Sequence, residues 1–302
     1  MFSPRTDLAL EAAAMLARKP DQKIKGVMEE NHQCGNVKVT RVKILNEEGE
    51  RLIGKVKGNY ITLEYPMDDL YTDDTKEDIA DVFSRELLNL IKGHKHDVIF
   101  VVGLGNRFIT PDALGPGVSD RIDVNRHLCA AENQLCTVSP GVLGITGIET
   151  GEIIEGIISK IKPDIVIAVD ALASRSMERI CTTIQLADTG ITPGAGVGNK
   201  RKELSLRTLG IPVIAVGVPT VVDAATVAND SVELILEKLR ENTDVPRTIL
   251  DEENRYALIR AILKPYFGEL IVTPSDIDGV IEKVADIIAL GINQTSNNLS
   301  LD

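Results

Sequence analysis

The sequence predicts an α/β protein: three layers, α/β/α, around a mainly parallel central sheet, with a small N-terminal β element. Three observations carry this. Val98-Ile99-Phe100-Val101-Val102, Ile165-Val166-Ile167-Ala168-Val169 and Val213-Ile214-Ala215-Val216 are continuous apolar runs of strand length. Runs without polar alternation belong to strands buried on both faces. Helical stretches at 111–128, 152–162 and 221–240 accompany them, and strand alternating with helix marks a parallel sheet covered on both sides. Upstream, Val37-Lys38-Val39-Thr40-Arg41-Val42-Lys43-Ile44 alternates apolar with polar residues, as a strand with one wet face does.

The elements follow in order. A short helical pattern runs from Leu8 to Arg18 and stops near Pro20. Tyr60-Ile61-Thr62-Leu63-Glu64-Tyr65 is the partner of the 37–44 strand, reached through the turn formers Glu48-Gly49 and Gly58-Asn59. The two strands make a small β element at 37–65, separate from the sheet that follows. Residues 75–91 repeat with helical period through Ile79, Val82, Phe83, Leu87, Leu90 and Ile91. The texture changes at Asp97, where an α/β core begins that extends to 241. A polar connection at 243–253 leads to closing helices within 250–302, at 259–263 and 277–290.

Composition narrows the function. The 302 residues are 43% hydrophobic, enough for a sizeable core, and Lys+Arg 33 against Asp+Glu 45 leave a net charge of −12. No basic stripe is visible, so direct clamping of nucleic-acid phosphates is not expected. Aromatic residues are 3% and Trp is absent, which disfavours stacking platforms for single strands. Met1-Phe2-Ser3-Pro4-Arg5-Thr6-Asp7 holds no apolar secretory core, and no uncharged run approaches the roughly 20 residues of a membrane helix. A cytoplasmic protein without membrane contact is expected. The four cysteines, Cys34, Cys129, Cys136 and Cys181, show no CxxC spacing and read as small core residues.

In an open parallel sheet, sites form beyond the carboxyl ends of the strands. After the first run comes Gly103-Leu104-Gly105-Asn106, then Thr110-Pro111-Asp112-Ala113-Leu114-Gly115-Pro116. The second run leads into Asp170-Ala171-Leu172-Ala173, the third into Gly217-Val218-Pro219-Thr220-Val221-Val222-Asp223-Ala224. A dinucleotide fingerprint fails because its third glycine position is Phe108, and the 194–200 stretch fails as a phosphate loop because Asn199 precedes Lys200. There is no Gly-x-Ser-x-Gly elbow. His32, His94, His96 and His127 form no metal-binding motif, and no histidine follows position 127. What remains is two carboxylates. Asp112 is placed by Thr110-Pro111 as N-cap and first residue of a helix, and Asp170 emerges from a buried strand, where desolvation is costly. On pattern alone, a cap and a turn former are the simpler account of them, since caps and turns use Asp constantly. Otherwise the pair suits amide hydrolysis, one carboxyl as base and one as acid.

These segments, with Pro140-Gly141-Val142-Leu143-Gly144-Ile145-Thr146-Gly147-Ile148-Glu149-Thr150, Asp188-Thr189-Gly190-Ile191 and Gly196-Val197-Gly198-Asn199-Lys200-Arg201, resemble the germination protease family. The likeness runs from Arg5-Thr6-Asp7-Leu8-Ala9 to Val272-Thr273-Pro274. It implies an atypical aspartic endopeptidase that starts the degradation of small acid-soluble spore proteins, housed in the forespore and spore core and assembling as a homotetramer. It implies Asp112 and Asp170 as the catalytic pair. It also implies a zymogen that removes residues 1–7 by cutting between Asp7 and Leu8, leaving 8–302 as the peptidase domain. The family fold is similar to that of hydrogenase maturation peptidases, which bind nickel at such a carboxylate pair with a histidine. Without a downstream histidine, the expectation here is no metal and no cofactor. Two other readings stay open: a nickel-dependent maturation-type peptidase, and a non-catalytic α/β protein that binds peptide at its strand-end loops. Longer relatives carry an insertion where this chain has Arg240 to Arg255, which bears on assembly and substrate selection.

Overall fold

The computed structural model describes residues 6–16, 24–128, 133–193, 202–242, 252–267 and 270–299. Arg5, the end of the first helical pattern at Arg18, Cys129, the 194–201 stretch and most of the 243–253 connection lie outside them. In chain order the elements are α1 (Ala9–Leu16), β1 (Val27–Cys34), β2 (Val37–Ile44), α2 (Glu47–Ile53), β3 (Gly58–Glu64), α3 (Asp73–Ile91), β4 (Val98–Gly103) and α4 (Leu114–Ser119). There follow β5 (Gln134–Val138), α5 (Leu143–Thr146), α6 (Thr150–Ile161), β6 (Ile165–Ser174), β7 (Thr183–Ala187), α7 (Leu206–Leu209) and β8 (Val213–Asp223). Helices α8 (Ala224–Asn242) and α9 (Glu252–Phe267), β9 (Ile271–Val272) and α10 (Ile277–Leu299) complete the chain.

Among the described residues one nine-stranded sheet has the order β1-β2-β3-β7-β8-β6-β4-β5, with β9 pairing β8. Strands β5, β4, β6 and β8 are parallel neighbours, and the continuous apolar runs sit in the middle of this half. Their alternate residues feed two cores. Ile99, Val101, Ile167 and Val169 pack beneath α3, α4 and α10, whereas Phe100, Val102, Val166 and Ala168 pack against Ile154 of α6. Full burial of each Val, Ile or Phe side chain among them contributes about 1.5–3 kcal/mol.

The expectation of a separate β element at 37–65 is corrected. Strand β3 pairs antiparallel with β7, Leu63 opposite Ile184, so the N-terminal hairpins extend the same sheet. Nor does β2 have one wet face: Val37 and Val39 join the α3/α10 core, while Val42 and Ile44 join the cluster under α1. The alternation changes phase at Thr40-Arg41, and each half buries a different face. The expected helix at 111–128 is also corrected. It reduces to a single 3-10 turn at Thr110–Asp112 and the six-residue α4, since Gly115, Pro116 and Gly117 are poor helix interior residues.

Helix α1 is tied down by a carboxylate. Glu11 is 3% exposed and accepts hydrogen bonds from the Arg175 amide (2.7 Å), the Ser176 amide (3.0 Å) and the Arg179 guanidinium (3.1 Å). The Thr6 hydroxyl donates to it as well. Glu11→Gln sets an NH2 group among donors, so stability is expected to drop by about 1–3 kcal/mol. The check is a lower urea midpoint at unchanged slope.

Candidate active site

Where β4 ends, the chain turns at Gly105, whose φ of +113° is strained for any other residue. The next amide, Asn106 N–H, donates both to the Asp112 carbonyl (3.0 Å) and to the Asp112 carboxylate Oδ2 (2.8 Å). Asp112 therefore closes its own loop back onto the strand end. Its 3-10 turn is held from a second side, where the Thr220 hydroxyl donates to the Pro111 carbonyl at 2.7 Å. Thr220 can reach because it is the extra residue of a bulge: Leu172 opposes Pro219 and Ala173 opposes Val221. Bulges re-aim side chains beside sites. Asp112 thus owes its position to a backbone amide and a bulge rather than to a long helix dipole.

Asp170 lies within β6, which continues to Ser174. It is 5% exposed, and its carboxylate accepts from the Ala171 amide at 3.0 Å. Asp112 and Asp170 line one cavity of about 260 Å³ whose walls include Leu104, Ile109, Val142 and Val221. The structure therefore brings together the two aspartates singled out in the sequence. A predominantly apolar wall strengthens the electrostatics of anything bound there.

Asp170, Ala171 and Leu172 also line a second cavity, of about 240 Å³, together with Asp7, Lys55, Tyr60, Gln185 and Glu203. Asp7, the acidic side of the predicted cleavage junction, thus shares this cavity with Asp170, whereas Asp112 does not line it. Asp7 pairs with β6 in extended fashion: its amide donates to the Ala173 carbonyl at 3.0 Å, and its carboxylate accepts from the Ala173 amide at 2.8 Å. Its carbonyl oxygen accepts from Lys55 Nζ (2.9 Å) and Gln185 Nε2 (3.3 Å). Leu8 is 0% exposed, and its amide donates to the Thr6 hydroxyl at 3.0 Å. Burial lowers the Lys55 ammonium below its usual pKa, against the pull of the Asp7 carboxylate. Burial pushes the Tyr60 phenol up to about 12.

Sequence reasoning passed over Lys55 and Gln185, and placed Asn106 and Thr220 in strand-end segments without giving either a role. Thr220 and Gln185 carried a signal, as buried polar residues inside apolar strands. Lys55 carried none. A nickel centre does not fit the residues present. Among the described residues, no His or Cys lines the cavity of the two aspartates, whereas nickel favours imidazole and thiolate ligands. His94 and His96 precede β4 and so belong to the opposite end of the sheet. Among the described residues no group of three or more His, Cys, Asp or Glu is arranged to hold a metal.

Known proteins resemble this chain over most of its length. A family model described as Peptidase_A25, germination protease, matches residues 5–248. The germination protease of Clostridium tetani is 48% identical, over 97% of this chain and 95% of the relative. That of Clostridium acetobutylicum is 47% identical over the same shares, and that of Bacillus velezensis is 42% identical over 97% and 93%. Among solved structures, a NiFe hydrogenase maturation protease from Thermococcus kodakarensis aligns with 70% of this chain and 99% of its own, at 19% identity and a TM-score of 0.39.

Proposed function

The chain belongs to the germination protease family and is a peptidase, and from that premise we propose that it is the endopeptidase that begins the breakdown of small acid-soluble spore proteins at germination. The observation that carries the reading is that Asp112 and Asp170, delivered by the segments after β4 and within β6, line one cavity. In the proposed mechanism one carboxylate takes a proton from a water as it attacks the peptide carbonyl. The partner carboxyl passes a proton to the departing amine. No metal takes part. The chain is made as a zymogen and removes residues 1–7 itself. Support for this step comes from Asp7, which lines a cavity together with Asp170.

The enzyme works as a homotetramer in the forespore and spore core. Exposed apolar side chains support self-association: Leu234 and Ile235 on α8, and Leu258 and Ile262 on α9, since such residues in number mark interaction surfaces. Among the described residues no helix is long and apolar enough to cross a membrane.

The test is incubation of the purified protein with a small acid-soluble spore protein, with and without chelator, followed by mass spectrometry of the fragments. Equal cleavage in both arms is expected. Loss of activity to chelator and its return with nickel would instead favour a maturation-type peptidase, and binding without turnover would favour a peptide-binding protein.

A further inference from the structure

The carbonyl of Asp7 is the one whose bond to Leu8 is cut in the proposed self-processing, and two side-chain donors converge on its oxygen. Lys55 Nζ is 2.9 Å away and Gln185 Nε2 is 3.3 Å away. Neither group belongs to the proposed dyad. Lys55 follows Gly54, the C-cap of α2, and Gln185 stands on β7, separated from Asp170 across the sheet by Gly217 of β8. Both donors line the same cavity as Asp170. The surroundings hold the bond in one orientation, through the Ala173 amide on the Asp7 carboxylate and the Thr6 hydroxyl on the Leu8 amide.

We propose that Lys55 and Gln185 form the oxyanion-stabilising pair of this peptidase, receiving the charge that develops on the Asp7 carbonyl oxygen when the bond to Leu8 is cut. This rests on the reading of an aspartate dyad that cuts the chain between Asp7 and Leu8. Water adds its oxygen to the Asp7 carbonyl carbon, and the carbonyl electron pair moves onto the oxygen facing Lys55 and Gln185. The proton lost by the water goes to a dyad carboxylate. Collapse reforms the carbonyl and breaks the C–N bond, and the Leu8 nitrogen leaves with a proton from the dyad. The products are the Asp7 α-carboxylate and a new Leu8 amino terminus. Donors aimed at a developing oxyanion in a site shielded from water act mainly on the transition state. Once residues 1–7 depart, the same two donors face the carbonyl of whichever peptide enters next.

A charged donor leaves a pH signature. Burial lowers Lys55 from its ordinary 10.5, so the ammonium is lost, and processing slows, at a pH below the usual lysine range. Among the described residues, the other ionisable side chains on this cavity are the carboxyls of Asp7, Asp170 and Glu203 and the phenol of Tyr60. Burial pushes that phenol up to about 12, outside the window in which Lys55 deprotonates.

The experiment follows loss of residues 1–7 from the full chain by intact mass, as a rate against pH, for wild type, Lys55→Met, Lys55→Arg and Asp112→Asn. Lys55→Met is expected to slow processing by about 10²–10³-fold. Lys55→Arg is expected to retain part of the rate and to lose the alkaline decline, because a guanidinium stays charged. That second result separates a donor from a residue needed only for folding. Wild-type rates in Lys55→Met, or an alkaline limb unchanged in Lys55→Arg, would overturn the inference while a silent Asp112→Asn left the dyad standing. Self-processing by Asp112→Asn would overturn the underlying reading instead.

Discussion

Asp170→Asn is expected to lower the rate of peptide cleavage by about 10²–10⁴-fold, the usual worth of a positioned acid or base, with little change in melting temperature. The substitution keeps the size of the side chain and leaves an oxygen to accept the Ala171 amide, now at 3.0 Å. What it removes is the capacity to take or give a proton inside a buried cavity. Asp112→Asn follows the same logic, since its amide oxygen still accepts from the Asn106 amide, now at 2.8 Å. The two losses should not multiply. Each variant breaks the same proton exchange, so the double variant is expected to be about as inactive as either single one. Cleavage of a spore protein, quantified by mass spectrometry beside a thermal melt of each variant, is the check. Full activity in either variant would remove the dyad from the mechanism.

Gly115→Ala is expected to be a strongly damaging single-carbon change near the site. Helix α4 packs down onto β4 and β6 so closely that a Cβ at Gly115 would stand 2.2 Å from the Leu104 carbonyl oxygen, 2.4 Å from its nitrogen and 2.6 Å from the Val169 carbonyl oxygen. All three are backbone atoms and none can rotate away. Overpacking in a core typically costs about 1–3 kcal/mol, sometimes more, and a clash against three fixed atoms belongs at the upper end. Relief requires lifting α4, and with it the 3-10 turn that carries Asp112. A fall in melting temperature of roughly 5 °C, as expected for about 3 kcal/mol in a chain of this size, should therefore accompany lost cleavage. Thermal melts and activity measured on one preparation would test both. A stable, fully active variant would mean that α4 has more freedom than its packing indicates.

The parallel half of the sheet was legible because β4, β6 and β8 are buried on both faces and so lack polar alternation. Asp112 could be picked out because sites gather where such strands end, and Asp170 because the continuous apolar run breaks there, although β6 itself continues to Ser174. The joining of β3 to β7 was not legible, since edge-on pairing rests on backbone groups that every residue carries. Strand β1, Val-Met-Glu-Glu-Asn-His-Gln-Cys, was missed for a related reason: most of it is exposed, and its pairing with β2 leaves little apolar pattern to read. Lys55 was invisible because nothing local distinguishes it from any lysine after a helix. Only the meeting of α2, β7 and the Asp7 segment, far apart in sequence, gives it a carbonyl to hold.

For the proposed self-processing, the burial of Leu8 predicts the molecularity. Presenting the Asp7-Leu8 bond to a second molecule would mean unravelling the start of α1 and exposing a side chain whose burial is worth about 1.5–3 kcal/mol. The Asp7 pairing with Ala173 would be lost as well. Within its own chain, the same bond already borders the cavity that contains Asp170. Release of the leading segment should therefore be a unimolecular event, with a half-life that tenfold dilution leaves unchanged. A trace of wild-type enzyme should leave an excess of Asp112→Asn chains uncut, so that every molecule must carry its own intact pair of aspartates to be switched on.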